Sequence, residues 1–203
     1  MFSLAHKSSP RQRRRVVSAL LAFWLAAAGL APAQPARAAD APLAASEERV
    51  QAAYLHKFLN YADWPPASFP HADTPYVIGV AGDDAVADEL ARIAAGRSVN
   101  SRGVIVKRLL PGDSFNAPSD LHMLYIGRGE RARQAQWLRM AKGRPVLTVT
   151  SAEGGLEQGS IINFRTVDER VRFELSLDAA DQSGLRLNSR LFSVATNVVK
   201  GNR

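Results

Sequence analysis

Between Ser46 and Tyr61 the apolar positions Val50, Ala53, Tyr54, Phe58 and Tyr61 fall at helical spacing. Pro65 and Pro66 close that run, because proline disfavours helical geometry in the residue before it. YVIGVAG (76–82) is a continuous apolar stretch ending in glycine and predicts a buried strand. Asp83 is placed to cap a following helix to about Ala95, with Val86, Leu90 and Ile93 on its inner side. GVIVKRL (103–109) and LHMLYIG (121–127) predict two more strands. A helix is expected from Glu130 to Ala141 with Ala135, Trp137, Leu138 and Ala141 on one side, and PVLTVTS (145–151) predicts a fourth strand. SIINFRT and RVRFELSL predict a hairpin across Val167–Glu169, with Phe173, Leu175 and Leu177 inward by alternation. A last helix is expected over Asn188–Val199, turning Leu191, Phe192, Ala195, Val198 and Val199 to the core.

Apolar strands interleaved with helices predict an α/β fold with both sheet faces covered. The expected architecture is a three-layer α/β/α sandwich, mostly parallel, with an antiparallel C-terminal hairpin.

Charge changes the picture at one end only. Of 26 basic residues, Lys7, Arg11, Arg13, Arg14, Arg15 and Arg37 lie in the first 38 positions, where no acid stands, so the remainder is close to neutral. The net charge of +7 therefore belongs to a leader and does not point to nucleic acid. RQRRR, the apolar run Val16–Leu30 and the triplet Ala36-Arg37-Ala38 have the layout of a cleaved secretory signal. The run is short for a membrane span, which needs roughly 20 residues, so an uncleaved anchor is the weaker alternative. Arg14-Arg15 leaves twin-arginine export open beside the general route. The expected organisation is a signal at 1–38, a flexible lead-in at 39–45 and one domain over 46–203, delivered to the periplasm. The chain has no cysteine, so an exported fold of this sequence holds by packing alone and has no thiol chemistry.

Candidate chemistry is thin. GVAGDD follows a strand but lacks the glycine spacing that admits a pyrophosphate. EGGLEQGS (153–160) is glycine-rich without a phosphate-binding lysine and reads as a mobile loop. His56, His71 and His122 are far apart and form no ligand pair at helical spacing, and His122 reads as a strand-end residue. Asp83-Asp84 reads as a capping pair rather than a cation site. No serine sits in a nucleophile elbow. In YLHKFLNYADWPP (54–66), His56 and Lys57 diverge on a helix and Asp63 lies beyond its last turn, so the stretch is structural, with Trp64 folded over the helix end. No catalytic residue, metal site or cofactor is expected.

The same stretch carries a resemblance. YLHKFLNYADWP, with Tyr54, Lys57, Phe58, Trp64 and Pro65, resembles the opening signature of the YfiR family. IGVAGDD, HMLYIG, PVLTVTS, SIINF, VRFELSLDAA and GLRLNSRLFSVA follow in the family's order, so the resemblance covers about residues 48 to 199. It implies an exported, periplasmic α/β domain that binds the periplasmic sensor domain of an inner-membrane diguanylate cyclase. Repression of that enzyme lowers cyclic-di-GMP and biofilm formation. The resemblance also implies an outer-membrane lipoprotein able to sequester the repressor, and a homodimer is kept open.

Three departures are visible. Leu121 stands where members often carry cysteine, Gly159-Ser160 replaces Gly-Gly, and Ser176 replaces an asparagine; these positions are candidates for a partner surface. By alternation Arg172 and Glu174 point away from Phe173 and Leu175, and Arg165 on the preceding strand can join them as a charged, partner-orienting rim. Two other functions compete. One is a small-molecule sensor whose pocket is built by the loops after Val80, Ile126 and Val149; the other, weaker, is a periplasmic hydrolase.

Overall fold

A computed structural model describes residues 46–115 and 120–200; the expected leader, its cleavage point and the lead-in lie outside these. Ser46 accepts a hydrogen bond from Arg49 N–H and starts α1 (Glu47–Phe58), which has Glu47 and Glu48 in its first turn and Lys57 in its last, matching the helix dipole. The chain continues through β1 (Ala62–Asp63), a short 3-10 turn (Pro66–Ser68), β2 (Tyr76–Ala81) and α2 (Asp84–Ala94). Next come β3 (Ser98–Val99), β4 (Arg102–Leu109), β5 (Met123–Ile126), a 3-10 turn (Arg128–Arg133) and α3 (Gln134–Ala141). The C-terminal part holds β6 (Leu147–Thr150), β7 (Ile162–Val167), β8 (Arg170–Ser176), α4 (Leu177–Ser183), β9 (Arg186–Leu187), α5 (Ser189–Phe192) and β10 (Asn197–Val199).

Eight strands make one sheet in the order β10-β8-β7-β6-β5-β2-β4-β3, parallel except for the pairs β7–β8 and β3–β4; β1 and β9 pair separately. Strands β2, β5 and β6 are buried throughout, as both-face coverage requires. On one face α1 and α2 pack side by side over Ile78, Val80, Met123, Tyr125, Leu147 and Val149. On the other, Trp137, Leu138 and Ala141 of α3 and the loop residue Phe115 cover Val77, Ala81, Leu124 and Ile126. The fold is the expected α/β arrangement with an antiparallel hairpin.

Several expectations are corrected. The buried stripe of α1 is Gln51, Ala52, Leu55 and Phe58, and Val50, Ala53 and Tyr54 sit half-exposed beside it. The helix is rotated because Tyr54 packs on Phe164 and Phe173 from the side, while Leu55 points straight into the core. In α3 it is Gln134, not Ala135, that is buried. Leu177 does not continue β8: Ser176 accepts from Ala179 N–H and turns the chain into α4.

The expected helix over 188–199 lasts one turn. Asn188 caps it by accepting from Arg190 N–H, and the chain then extends, with β10 pairing parallel to Glu174–Ser176. Val194, Thr196, Val198 and Val199 are β-branched and favour a strand. The edge of β8 offers backbone partners, and both Thr196 N–H and Thr196 Oγ1 donate to the Phe173 carbonyl (2.9 and 3.0 Å). Val198 and Val199 are consequently exposed rather than core.

Candidate functional site

The chain crosses from one side of β2 to the other after β4, so the carboxyl ends of β2 and β5 frame the crevice where open α/β sheets take ligands. Here backbone fills that crevice. Gly127 N–H donates to the Ala81 carbonyl (2.8 Å) and Gly129 N–H to the Gly82 carbonyl (3.2 Å). A Cβ on Gly127 would stand 2.6 Å from Asp83 Cβ, and one on Gly129 would stand 2.6 Å from the Gly82 oxygen. The two loops touch because glycine lets them, and this contact fills the space between them.

Beneath this contact lies a buried polar network. The Tyr125 hydroxyl donates to Gln51 Oε1 (2.6 Å) and lies 3.1 Å from Ser151 Oγ and 3.4 Å from Asp83 Oδ2. Burial, reinforced by the Asp83 carboxylate, pushes the phenol far above its ordinary range, so it stays a neutral donor and is no base. Gln51 Nε2 and Arg128 both donate to Glu47 Oε1 (2.8 and 2.7 Å), with Thr166 Oγ1 at 3.3 Å. The network fastens α1 to β5 and β7. Asp83 Oδ1 caps α2 by accepting from Val86 N–H, and Asp84 pairs with Arg108, so the Asp83-Asp84 pair is used as caps and pairs are. Nearby Glu130 is held below the ordinary carboxylate range by Arg133, against its burial and with help from the Trp137 indole.

His122 is a structural residue. His122 is fully buried just before β5; its Nδ1 accepts from Val77 N–H (3.1 Å), so Nε2 carries the proton and donates to the Ser68 carbonyl (3.0 Å). Phe69 stacks on the ring at 4.6 Å between centroids. His56 lies half-exposed on α1 with its Nε2 buried and unpartnered. Among the described residues no three metal-ligating side chains converge.

Of the signature residues, Phe58 and Trp64 are buried, Tyr54 is half-buried, Lys57 is exposed in the last turn of α1, and Pro65 opens the 3-10 turn. The charged rim is brought together in part. Arg165 and Arg172 face each other across β7 and β8, both exposed, while Glu174 is half-exposed between Asn163 and Asn197. A groove of about 420 Å³ runs between the hairpin and α1, lined by Val50, Tyr54, Val171, Arg170 and Arg172. Its apolar lining was missed because Val50 and Tyr54 carry the same helical spacing as core positions.

The three family departures are internal rather than on a partner surface. Leu121 is 2% exposed against Gly79. Ser160 is buried and donates to the Ile162 carbonyl (2.7 Å), and Ser176 caps α4. The loop EGGLEQGS is a chain of turns tied down at Gly155, where an added Cβ would stand 2.0 Å from Thr150 Oγ1.

The chain belongs to the YfiR/HmsC-like family, whose model matches residues 48–196, a family of regulators in cyclic-di-GMP signalling. No curated protein matches the chain closely enough to be named beside it.

Proposed function

We propose that this chain is exported to the periplasm, where it occupies the periplasmic sensor domain of an inner-membrane diguanylate cyclase and so lowers cyclic-di-GMP. The observation that carries this reading is the family match, which spans almost all of the domain. The reading includes removal of the leader near Ala38, a short lead-in over 39–45 and release of repression when an outer-membrane lipoprotein sequesters the domain. No helix among the described residues is long and apolar enough to cross a membrane.

Arg165, Arg172 and Glu174 form the proposed docking rim. Two arginines directly opposed across a strand pair repel each other, costing roughly 0.2–1 kcal/mol. That cost is offset if an acidic patch of the partner meets the two arginines, with a basic partner group opposite Glu174. Capture of the cyclase from detergent-solubilised membranes on the immobilised domain tests the reading. The wild-type domain retains it, and Glu174→Lys and Arg172→Glu retain less at an unchanged thermal midpoint. Equal recovery on all three removes the rim; no recovery on the wild type removes the partner.

A further inference from the structure

β10 is the outermost strand of the sheet and covers only part of β8. The chain coming from α5 joins the edge at Thr196, whose N–H reaches the Phe173 carbonyl, and β10 then pairs with Glu174–Ser176. Asp168 and Glu169, both at positive φ, make the two-residue turn that joins β7 to β8. In such a hairpin the flanking pair Val167–Arg170 exchanges hydrogen bonds, and so by alternation do Arg165–Arg172 and Asn163–Glu174. Val171 and Phe173 therefore turn their N–H and C=O groups outward. Phe173 meets Thr196; among the described residues Val171 meets no strand. Beside this open stretch lies the 420 Å³ groove floored by Val171 and walled by Val50 and Tyr54. A second hollow, sharing Val50 and Tyr54, continues it along α1 to Arg49 and Lys57.

We propose that the free edge of β8 at Arg170–Phe173 takes an extended, acidic segment of a partner protein as an added strand, continuing the line of β10. Main-chain pairing at Val171 holds the segment, and its alternate side chains enter the groove between Val171, Val50 and Tyr54. The charge around the groove chooses the sign. Arg49, Lys57, Arg170 and Arg172 surround it, whereas Glu47 is already engaged by Arg128, leaving Glu169 as the opposing charge. The second open edge, β4 beyond the short cover of β3, carries Lys107 and Arg108 as blunting charges. This inference rests on the reading of the domain as a protein-binding regulator, but it concerns only the edge.

The test uses a labelled synthetic peptide of alternating Glu and Val, with an alternating Lys and Val peptide as control, and no cyclase. Backbone amide exchange at Val171, followed by NMR, reports the pairing. The expected result is fast exchange at Val171 in the free domain and at least tenfold slowing with the acidic peptide. The basic peptide leaves the exchange unchanged, and binding of the acidic one weakens at least tenfold in Arg170→Glu. Val171→Pro, which removes the outward N–H, abolishes binding. Equal binding of both peptides, protection at β4 instead, or an unchanged Val171 overturns the proposal. So does concentration-dependent protection of Val171 without peptide, which would make a second copy the occupant.

Discussion

Trp64 donates its indole N–H to the main-chain carbonyl of His122, 3.0 Å away and 58 positions along the chain. The bond joins the segment after α1 to the start of the central strand β5, and the Trp64 and Tyr76 rings meet edge to face beside it. Truncating this side chain removes a large buried ring and an indole donor together. Trp64→Ala is expected to cost about 3–5 kcal/mol, as large aromatic truncations do. His56→Ala, which removes a buried ring nitrogen without a partner, is expected to cost far less. Urea midpoints of the two variants measure the difference, and similar small losses would show that Trp64 does not close the helix end.

His122 makes the fold sensitive to acid. Burial, together with the charge of Arg102 and against the Ser68 carbonyl, holds its imidazole below the ordinary 6.5. Protonating Nδ1 would also destroy the acceptor for Val77 N–H. The unfolded chain takes up the proton more readily than the folded one, so stability is complete above 6.5 and is lost as pH falls from there towards the depressed folded value. His56, lowered by burial and by Arg97, adds in the same direction. Urea midpoints at about pH 7.5 and about pH 5.5 are expected to fall with acid in the wild type. His122→Gln should be less stable at neutral pH but show a flatter slope. Equal slopes would contradict this origin.

The glycine contact at the carboxyl ends of β2 and β5 gives a third expectation. Gly127→Ala forces a methyl into Asp83 Cβ and the Gly82 oxygen, at 2.6 and 2.8 Å. Overpacking of this kind costs typically about 1–3 kcal/mol. Gly103→Ala, with nothing within 4 Å of the added methyl, serves as the control. Equal thermal midpoints in the two variants would mean the loops do not meet as described.

Sequence pattern carried the fold further than the site. The strand YVIGVAG is legible because both-face burial writes an unbroken apolar run, and Asp83 because a cap has fixed spacing to its helix. The last strand has a helical pattern in sequence, because Leu191 and Ala195 fall at helical spacing, while the open edge of β8 that recruits Thr196 and Val198 belongs to another part of the chain. The rim of Arg165, Arg172 and Glu174 followed from alternation alone. The groove beside it did not, since whether Tyr54 faces the core or a partner depends on how α1 is rotated over Phe164 and Phe173. The closed crevice was equally hidden, because Gly82, Gly127 and Gly129 meet only once β2 and β5 are neighbours.

Cellular cyclic-di-GMP in a strain lacking this gene, with and without the exported domain supplied from a plasmid, tests the central claim most directly. The account predicts a rise on deletion, a return on supplying the wild-type domain and a weaker return with Glu174→Lys at equal periplasmic amount. A deletion strain whose cyclic-di-GMP is unchanged, while its membrane diguanylate cyclase is present and active, would contradict it.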